Sequence, residues 1–312
     1  MTGSEHLFDA FAGRVKADGL QLCGAAVQQH GVLLGEYRWT EDVPHHIFSL
    51  SKSYTGILTG IAVDDGIISL SDSPVGILCP ELKGQDERLD RMTLGDLLIM
   101  ASGHAHAYLS IYQRHKITEK DWVRYFLSKP MAFEPGTVFR YDTGCTYVIG
   151  AMLSRVTGQR LNDFAMERLF RPLGMTEKPR WDECPMGNAL GGTGLYLKTR
   201  DILDLGQLCL DGGVRDGKRI VSEEWIREST RAHIASENRG SSEPQPDYEC
   251  GYGYQFWMDR NGSFRGDGYR SQFCIVDPAL DAVIALTADE QESQKVLNAV
   301  WDTLYPVLKA VY

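Results

Sequence analysis

Residues 46–53 read His46-Ile47-Phe48-Ser49-Leu50-Ser51-Lys52-Ser53, and the run behind them carries Ile57, Leu58 and Ile61 at helical spacing. The pattern predicts a helix from Ser49 onward that ends at Gly66, the residue type best suited to close a last turn. Residues three apart share a helix face, so Lys52 reaches the Ser49 hydroxyl. A serine is a weak nucleophile at its free pKa and needs an adjacent base. A lysine desolvated against a helix gives up its charge more readily and can serve as that base. The positive end of the helix would also favour an anionic intermediate. By itself the motif is weak: a chain of this composition shows Ser-x-x-Lys by chance about once, and a capping serine beside a solvated lysine reads the same way. Ser51 is a rival nucleophile, but three residues further on stands Tyr54, not a base.

Outward from this stretch the chain changes period twice. Leu7, Phe8, Phe11 and Val15 predict a first helix with Ser4 as its cap. Residues 20–29 and 31–39 are β-rich and meet at His30-Gly31, which predicts a hairpin. The middle is mostly helical, with segments at 94–101, 119–127, 146–156 and 161–169. Strands return at 252–258, 271–276 and 282–288, with turns at Asn261-Gly262 and Asp277-Pro278. A last helix carries Val296, Leu297, Val300, Trp301 and Leu304, and Pro306 is expected to kink or end it. Residues 237–247, rich in Ser, Pro and Glu, read as a mobile loop. These observations predict an α+β fold: one antiparallel sheet built from both chain ends and flanked by helices. A single domain results, with 1–70 and 188–312 forming the sheet region and 71–187 an inserted helical subdomain.

A net charge of −10 argues against a surface that tracks nucleic-acid phosphates. No apolar run approaches the roughly 18 residues that span a bilayer. The start, Met1-Thr2-Gly3-Ser4-Glu5-His6, lacks a basic segment followed by an apolar core, so no signal peptide is read. Seven scattered cysteines without a Cys-x-x-Cys pair read as free thiols in a reducing compartment, by default the cytoplasm. His45-His46 and His104-Ala105-His106 read as loop or core histidines, because no His-Glu-x-x-His or carboxylate cluster accompanies them; neither metal nor cofactor is expected. No Gly-x-Ser-x-Gly elbow is present. Gly191-Gly192-Thr193-Gly194 lacks the lysine of a phosphate loop and reads as a tight turn near the cleft.

Further segments raise the weight of Ser49 and Lys52 when taken in order. They are Asp65-Gly66-Ile67-Ile68-Ser69-Leu70-Ser71-Asp72, Thr93 through His104, Glu134-Pro135-Gly136-Thr137, Arg140-Tyr141, Pro172-Leu173-Gly174-Met175, and Gly194-Leu195-Tyr196 with Thr199-Arg200-Asp201. This ordered set resembles serine hydrolases of the penicillin-binding-protein and class C β-lactamase type, over nearly the whole chain. The resemblance implies a β-lactamase/transpeptidase-like fold, with Ser49 as nucleophile, Lys52 as its partner and Tyr141 as the tyrosine of a Tyr-x-Asn motif. In such enzymes that tyrosine shuttles protons, a task that needs a nearby cation such as Lys52 to lower its pKa. Taken alone, Tyr141 reads first as a buried aromatic with a bonded hydroxyl.

Two positions depart from the family pattern. Thr143 stands where the family has Asn, keeping a hydroxyl but losing an amide. The third motif, Lys-Thr-Gly or His-x-Gly in relatives, aligns with Gly266-Asp267-Gly268, and no histidine follows His233. Gly268 would allow close backbone approach, and the N–H groups of Tyr269 and Ser49 would form the oxyanion hole. Asp267 would repel a substrate carboxylate, while Arg270, two residues past Gly268 on the same strand face, could replace the missing cation. Arg265 and Arg270 read otherwise as solvated strand charges. The expectation is a hydrolase of small neutral esters, amides or peptides acting through acyl-Ser49, with weak β-lactam or D-alanyl peptide turnover. The alternative is a non-catalytic ligand- or peptide-binding protein on the same scaffold. Neither nucleic acid nor membrane is an expected partner.

Overall fold

Helix α1 (Asp9–Ala17) buries Phe11 and Val15 and leads into a hairpin of β1 (Leu22–Gln29) and β2 (Val32–Arg38). The hairpin turns at His30 and Gly31, with φ of 53° and 70°, the left-handed pair that a two-residue turn between twisted strands requires. The structure, a computed structural model, describes residues 7–236 and 244–310. The expected Ser4 cap and residues 237–243 of the expected loop lie outside the described residues.

Helix α2 (Ser51–Asp64) is buried at every position from Ser51 to Ala62, so it runs through the core instead of along a surface. Its glycines admit neighbours: a Cβ on Gly60 would lie 2.2 Å from the Trp225 ring, whose Nε1 donates to the Gly56 carbonyl at 3.1 Å. Helix α3 (Thr143–Thr157) packs against α2; Asp142 caps its start and Gly158, at φ 70°, closes its end. The expected helix at 119–127 begins later, at Trp122, where the Asp121 side chain accepts from the Arg124 N–H. Helix α4 (Thr199–Leu210) lies on the sheet, and Gly206 permits the contact: a Cβ there would sit 2.3 Å from Val283.

The C-terminal strands are β3 (Trp257–Met258), β4 (Phe264–Gly268), β5 (Gln272–Asp277) and β6 (Ala282–Ala288). The sheet is antiparallel in the order β2-β1-β6-β5-β4-β3, so strands from both ends of the chain meet at β1 and β6, from Leu22 opposite Ala288 to Gln29 opposite Ala282. Every residue of β5 and β6 is buried, which explains the apolar runs at 273–276 and 282–286 within them. Gln29, also buried, donates to the Leu308 carbonyl at 3.2 Å and ties β1 to the last helix. The expected strand at 252–258 shrinks to β3. Gly251 at φ 103° and Gln255 at φ 68° break its run, and Gln255 turns into the core. Nor does Pro306 end the last helix. Helix α5 (Ser293–Ala299) continues through a π segment (Val300–Leu304) into a further helix (Tyr305–Ala310), and the altered hydrogen-bond register accommodates the missing Pro306 N–H. Among the described residues no helix is long and apolar enough to cross a membrane.

β4 meets the start of α2 with almost no space between them. A Cβ on Gly266 would lie 2.2 Å from Leu50 Cδ1, and one on Gly268 would lie 2.2 Å from the Ile47 carbonyl oxygen. Backbone cannot retreat cheaply, so Gly268→Ala should cost about 1–3 kcal/mol, as overpacking does. Gly13, within α1, has nothing within 4 Å of its would-be Cβ, and Gly13→Ala should instead add about 0.5–1 kcal/mol. Urea unfolding of the two variants checks both signs; equal effects would mean that β4 does not press on α2.

Asp142 is fully buried; Oδ1 accepts from the N–H groups of Tyr108 (2.8 Å) and Gly144 (2.7 Å), while Oδ2 has no partner. Burial pushes its carboxyl up to about 7, against the pull of those two bonds and of Lys52. In the unfolded chain the same group titrates near 3.8. The folded state therefore holds the extra proton between these values. Its contribution to stability is full below about 4 and is lost as pH rises through about 7. Asp142→Asn removes that titration, so its stability relative to the parent should grow from pH 5 to pH 8 in denaturant titrations, with no such trend if Asp142 is ionised throughout.

Candidate active site

Ser49 sits in a 3₁₀ turn (Phe48–Leu50) that feeds directly into α2, so the α-helix itself begins two residues later than the expected start at Ser49. The preceding Phe48 has φ 46°, a costly conformation for an aromatic residue. Its ring is held between His46, at 4.0 Å between centroids, and the edge of Tyr269, at 5.5 Å. His46 Nε2 accepts from the Gly194 N–H at 3.0 Å, which leaves its ring proton on Nδ1. Burial lowers the His46 pKa to about 4, so this histidine is a neutral strut. Ser51 is buried and committed: its hydroxyl donates to the Phe48 carbonyl at 2.6 Å and accepts from the Leu195 N–H at 3.3 Å.

Lys52, only 1% exposed, points its amino group back at Ser49. Nζ lies 2.9 Å from Ser49 Oγ, 2.7 Å from the Gly192 carbonyl oxygen and 3.4 Å from Thr143 Oγ1. It also stands 4.9 Å from the centre of the Tyr141 ring. Tyr141 is half-buried and stacks on Trp257 at 5.3 Å. The glycine-rich turn at 191–194 thus supplies a carbonyl to the lysine. Gln255 fixes the surrounding helices: its Oε1 accepts from Thr146 at 2.6 Å, its Nε2 donates to the Leu98 carbonyl at 2.7 Å, and its own carbonyl accepts from Ser53 at 2.8 Å.

Ser49 opens onto a cavity of about 220 Å³, bounded by Phe48, Tyr108, Tyr141, Thr143, Thr193 and Tyr269 among others. Tyr112 reaches across from the loop after Ser110 and donates its hydroxyl to that of Tyr269 at 2.8 Å. Gly268 lies beneath, against the Ile47 carbonyl. Asp267 and Arg270 do not line this cavity. Asp267 turns inward and accepts from Arg265 Nε at 3.0 Å, so its charge is neutralised inside the fold. Arg265 is no solvated strand residue but fully buried, paired with Asp259 and Asp267 and lying 4.5 Å over the Tyr248 ring. Burial opposes its charge, yet the two acids hold it firmly protonated. Arg270 is not on the strand face: β4 ends at Gly268, and Arg270 and Ser271 form a turn, both at φ 64°. Its guanidinium pairs with Asp289.

Sequence reading missed Arg114, Tyr112 and Gln255, of which the first two line the cavity. None belongs to a periodic or named pattern; Gln255 alone left a hint, in the glycines that break its strand. His104 is buried against Phe126, and its pKa falls to about 4 through burial. Among the described residues no group of three or more His, Cys, Asp or Glu could hold a metal ion. All seven cysteines are unpaired.

A model of the beta-lactamase family matches residues 7–303. The chain is 27% identical over 274 residues to the 6-aminohexanoate-dimer hydrolase of Paenarthrobacter ureafaciens, covering 81% of this chain and 68% of that one. It is 27% identical over 203 residues to the lovastatin esterase of Penicillium rubens, covering 54% and 50%, so it spans only half of that relative. Among solved structures it superposes on EstCE1, a hydrolase with promiscuous acyltransferase activity, with a TM-score of 0.75 at 16% identity, covering 98% of this chain and 100% of that one. The last likeness establishes the fold, with its antiparallel sheet flanked by helices; the family match across almost the whole length establishes more, and the chain belongs to the beta-lactamase family of serine hydrolases.

Proposed function

We propose that the protein hydrolyses a small ester or amide through an acyl-Ser49 intermediate. The observation that carries this reading is the 2.9 Å approach of a buried Lys52 amino group to a hydroxyl that opens onto a cavity. A neutral Lys52 takes the Ser49 proton as Oγ attacks the substrate carbonyl. The backbone N–H groups of Ser49 and Tyr269 receive the developing oxyanion. Tyr141, beside the same amino group, passes a proton to the departing alcohol or amine, and water then releases the acyl group by the reverse path. The named relatives, an amide hydrolase and an esterase, support both bond types.

The competing reading is a non-catalytic binder, motivated by Thr143 in place of asparagine. Thr143 Oγ1 still lies 3.4 Å from Lys52 Nζ, so a polar group meets the lysine where the amide would have stood. That favours the enzyme. Seven unpaired cysteines support a reducing compartment, the cytoplasm.

Ser49→Ala should abolish both turnover of p-nitrophenyl esters and covalent labelling by a fluorophosphonate, with unchanged circular dichroism. Mass spectrometry locates the label in the parent, and a label at Ser51 or elsewhere would sink the assignment. Tyr141→Phe keeps the stacking on Trp257 and removes only the hydroxyl, so kcat should fall by about 100-fold or more. A loss below about threefold in steady-state assays would place the proton transfer on another group.

A further inference from the structure

Arg114 opens a short 3₁₀ turn (Arg114–Lys116) in the loop between residues 105 and 121, and its half-buried side chain lines the Ser49 cavity. Among the described residues, no hydrogen bond or ion pair fixes its guanidinium. The cationic side chains around it are spoken for. Lys52 is buried behind Ser49, Arg265 is held by Asp259 and Asp267, and Arg270 pairs with Asp289. Asp182 is the acid whose field acts on Arg114, but its carboxylate is already held by Arg180 Nε and Nη2 at 3.0 and 2.8 Å. Among the described residues no carboxylate lines the cavity. A guanidinium stays charged at any working pH, and leaving it partly desolvated without an anion is unfavourable. Arg114 is thus a planar, two-pronged donor facing the substrate's space, the geometry that suits a carboxylate.

We propose that Arg114 receives a carboxylate of the substrate, so that the preferred substrates are short esters or amides bearing a carboxylate near the scissile bond. This rests on the acyl-Ser49 reading and names its substrate class. It reverses the sequence-based expectation of neutral substrates. That expectation depended on Asp267 repelling an anion, and Asp267 is turned inward onto Arg265.

The test uses two matched pairs of esters. Mono-p-nitrophenyl glutarate and its methyl ester place the charge on the acyl side. 3-Carboxyphenyl butanoate and its methyl ester place it on the leaving group. In the parent, one charged ester should exceed its neutral partner in kcat/KM, and the pair that does so reports which side Arg114 reads. In Arg114→Gln that preference should shrink by about 10- to 100-fold, the size of a charge-assisted hydrogen bond, and Arg114→Lys should retain part of it. Neutral esters favoured in the parent, or both members of each pair falling equally in Arg114→Gln, would overturn the proposal. Fluorophosphonate labelling of Ser49 in each variant reports whether the nucleophile and its surroundings are intact. If the parent takes no label and turns over nothing, the hydrolase reading fails. Arg114 is then judged by glutarate alone, which should raise the melting temperature of the parent and not of Arg114→Gln. Equal protection of both would overturn the carboxylate role.

Discussion

The contact between a buried lysine and a serine hydroxyl constrains most of what surrounds it. Removing an amino group from water is costly unless polar partners replace the lost solvent, and Lys52 has the Ser49 hydroxyl, the Gly192 carbonyl and the Thr143 hydroxyl. Those partners come from the 3₁₀ turn before α2, from the glycine-rich turn at 191–194 and from the start of α3. All three must therefore converge. The glycines make the convergence possible. A Cβ on Gly192 would lie 3.0 Å from Thr146 Cβ, and one on Gly191 would lie 3.0 Å from the Thr146 carbonyl. α2 in turn is buried almost all round because it must deliver Lys52 from inside the protein.

A second buried cation ties β4 to the segments around it. Arg265 on β4 collects Asp259 and Asp267 and donates to the Asp247 carbonyl at 2.8 Å. Asp247 accepts from Trp301 Nε1 at 3.0 Å, so the same network reaches the C-terminal helix. A buried ionic cluster of this kind is weak evidence for added stability, but removing one member strands the others. Its consequence for function is subtractive. By turning Asp267 inward it keeps that carboxylate off the cavity wall, where Tyr269, just past the end of β4, is the residue of this segment that lines the cavity.

The sequence was most readable where spacing itself carries the physics. Ser49 and Lys52 are one helical turn apart, and the apolar runs within β5 and β6 announce strands covered on both faces. The antiparallel sheet drawn from both chain ends follows from those patterns. What failed did so because tertiary surroundings override local pattern. Residues 252–258 alternate like a strand, yet Gln255 gains more by bonding Thr146, Leu98 and Ser53 in the core than by joining a ladder. Pro306 looks like a stop, but a preceding π segment absorbs it. Arg265 looks like a solvated strand charge and Asp267 like an acid facing the cleft, because sequence shows neither their pairing nor the approach of Asp259 to Arg265. Arg114 and Tyr112 sit in a loop without period, where only three-dimensional closure reveals that they face Ser49.

Charge composition sharpens what the uncommitted Arg114 means. The chain carries 42 acidic against 32 basic residues, so carboxylates are in surplus and cations should find partners easily. The half-buried Arg168 and Arg215 and the exposed Arg231 do so. The stretch of loop leading into Arg114 instead runs Ala107-Tyr108-Leu109-Ser110-Ile111-Tyr112-Gln113, without an acid, and the cavity walls are mainly aromatic and hydroxyl-bearing. Scarcity of anions therefore does not explain the missing partner; exclusion of protein carboxylates from this one wall does. Partial burial of the guanidinium strengthens its attraction for an anion entering from outside. With Lys52 bonded to Ser49, Arg114 is, among the described residues, the one charged side chain lining the cavity, and the two proposed roles would divide these cations between chemistry and recognition.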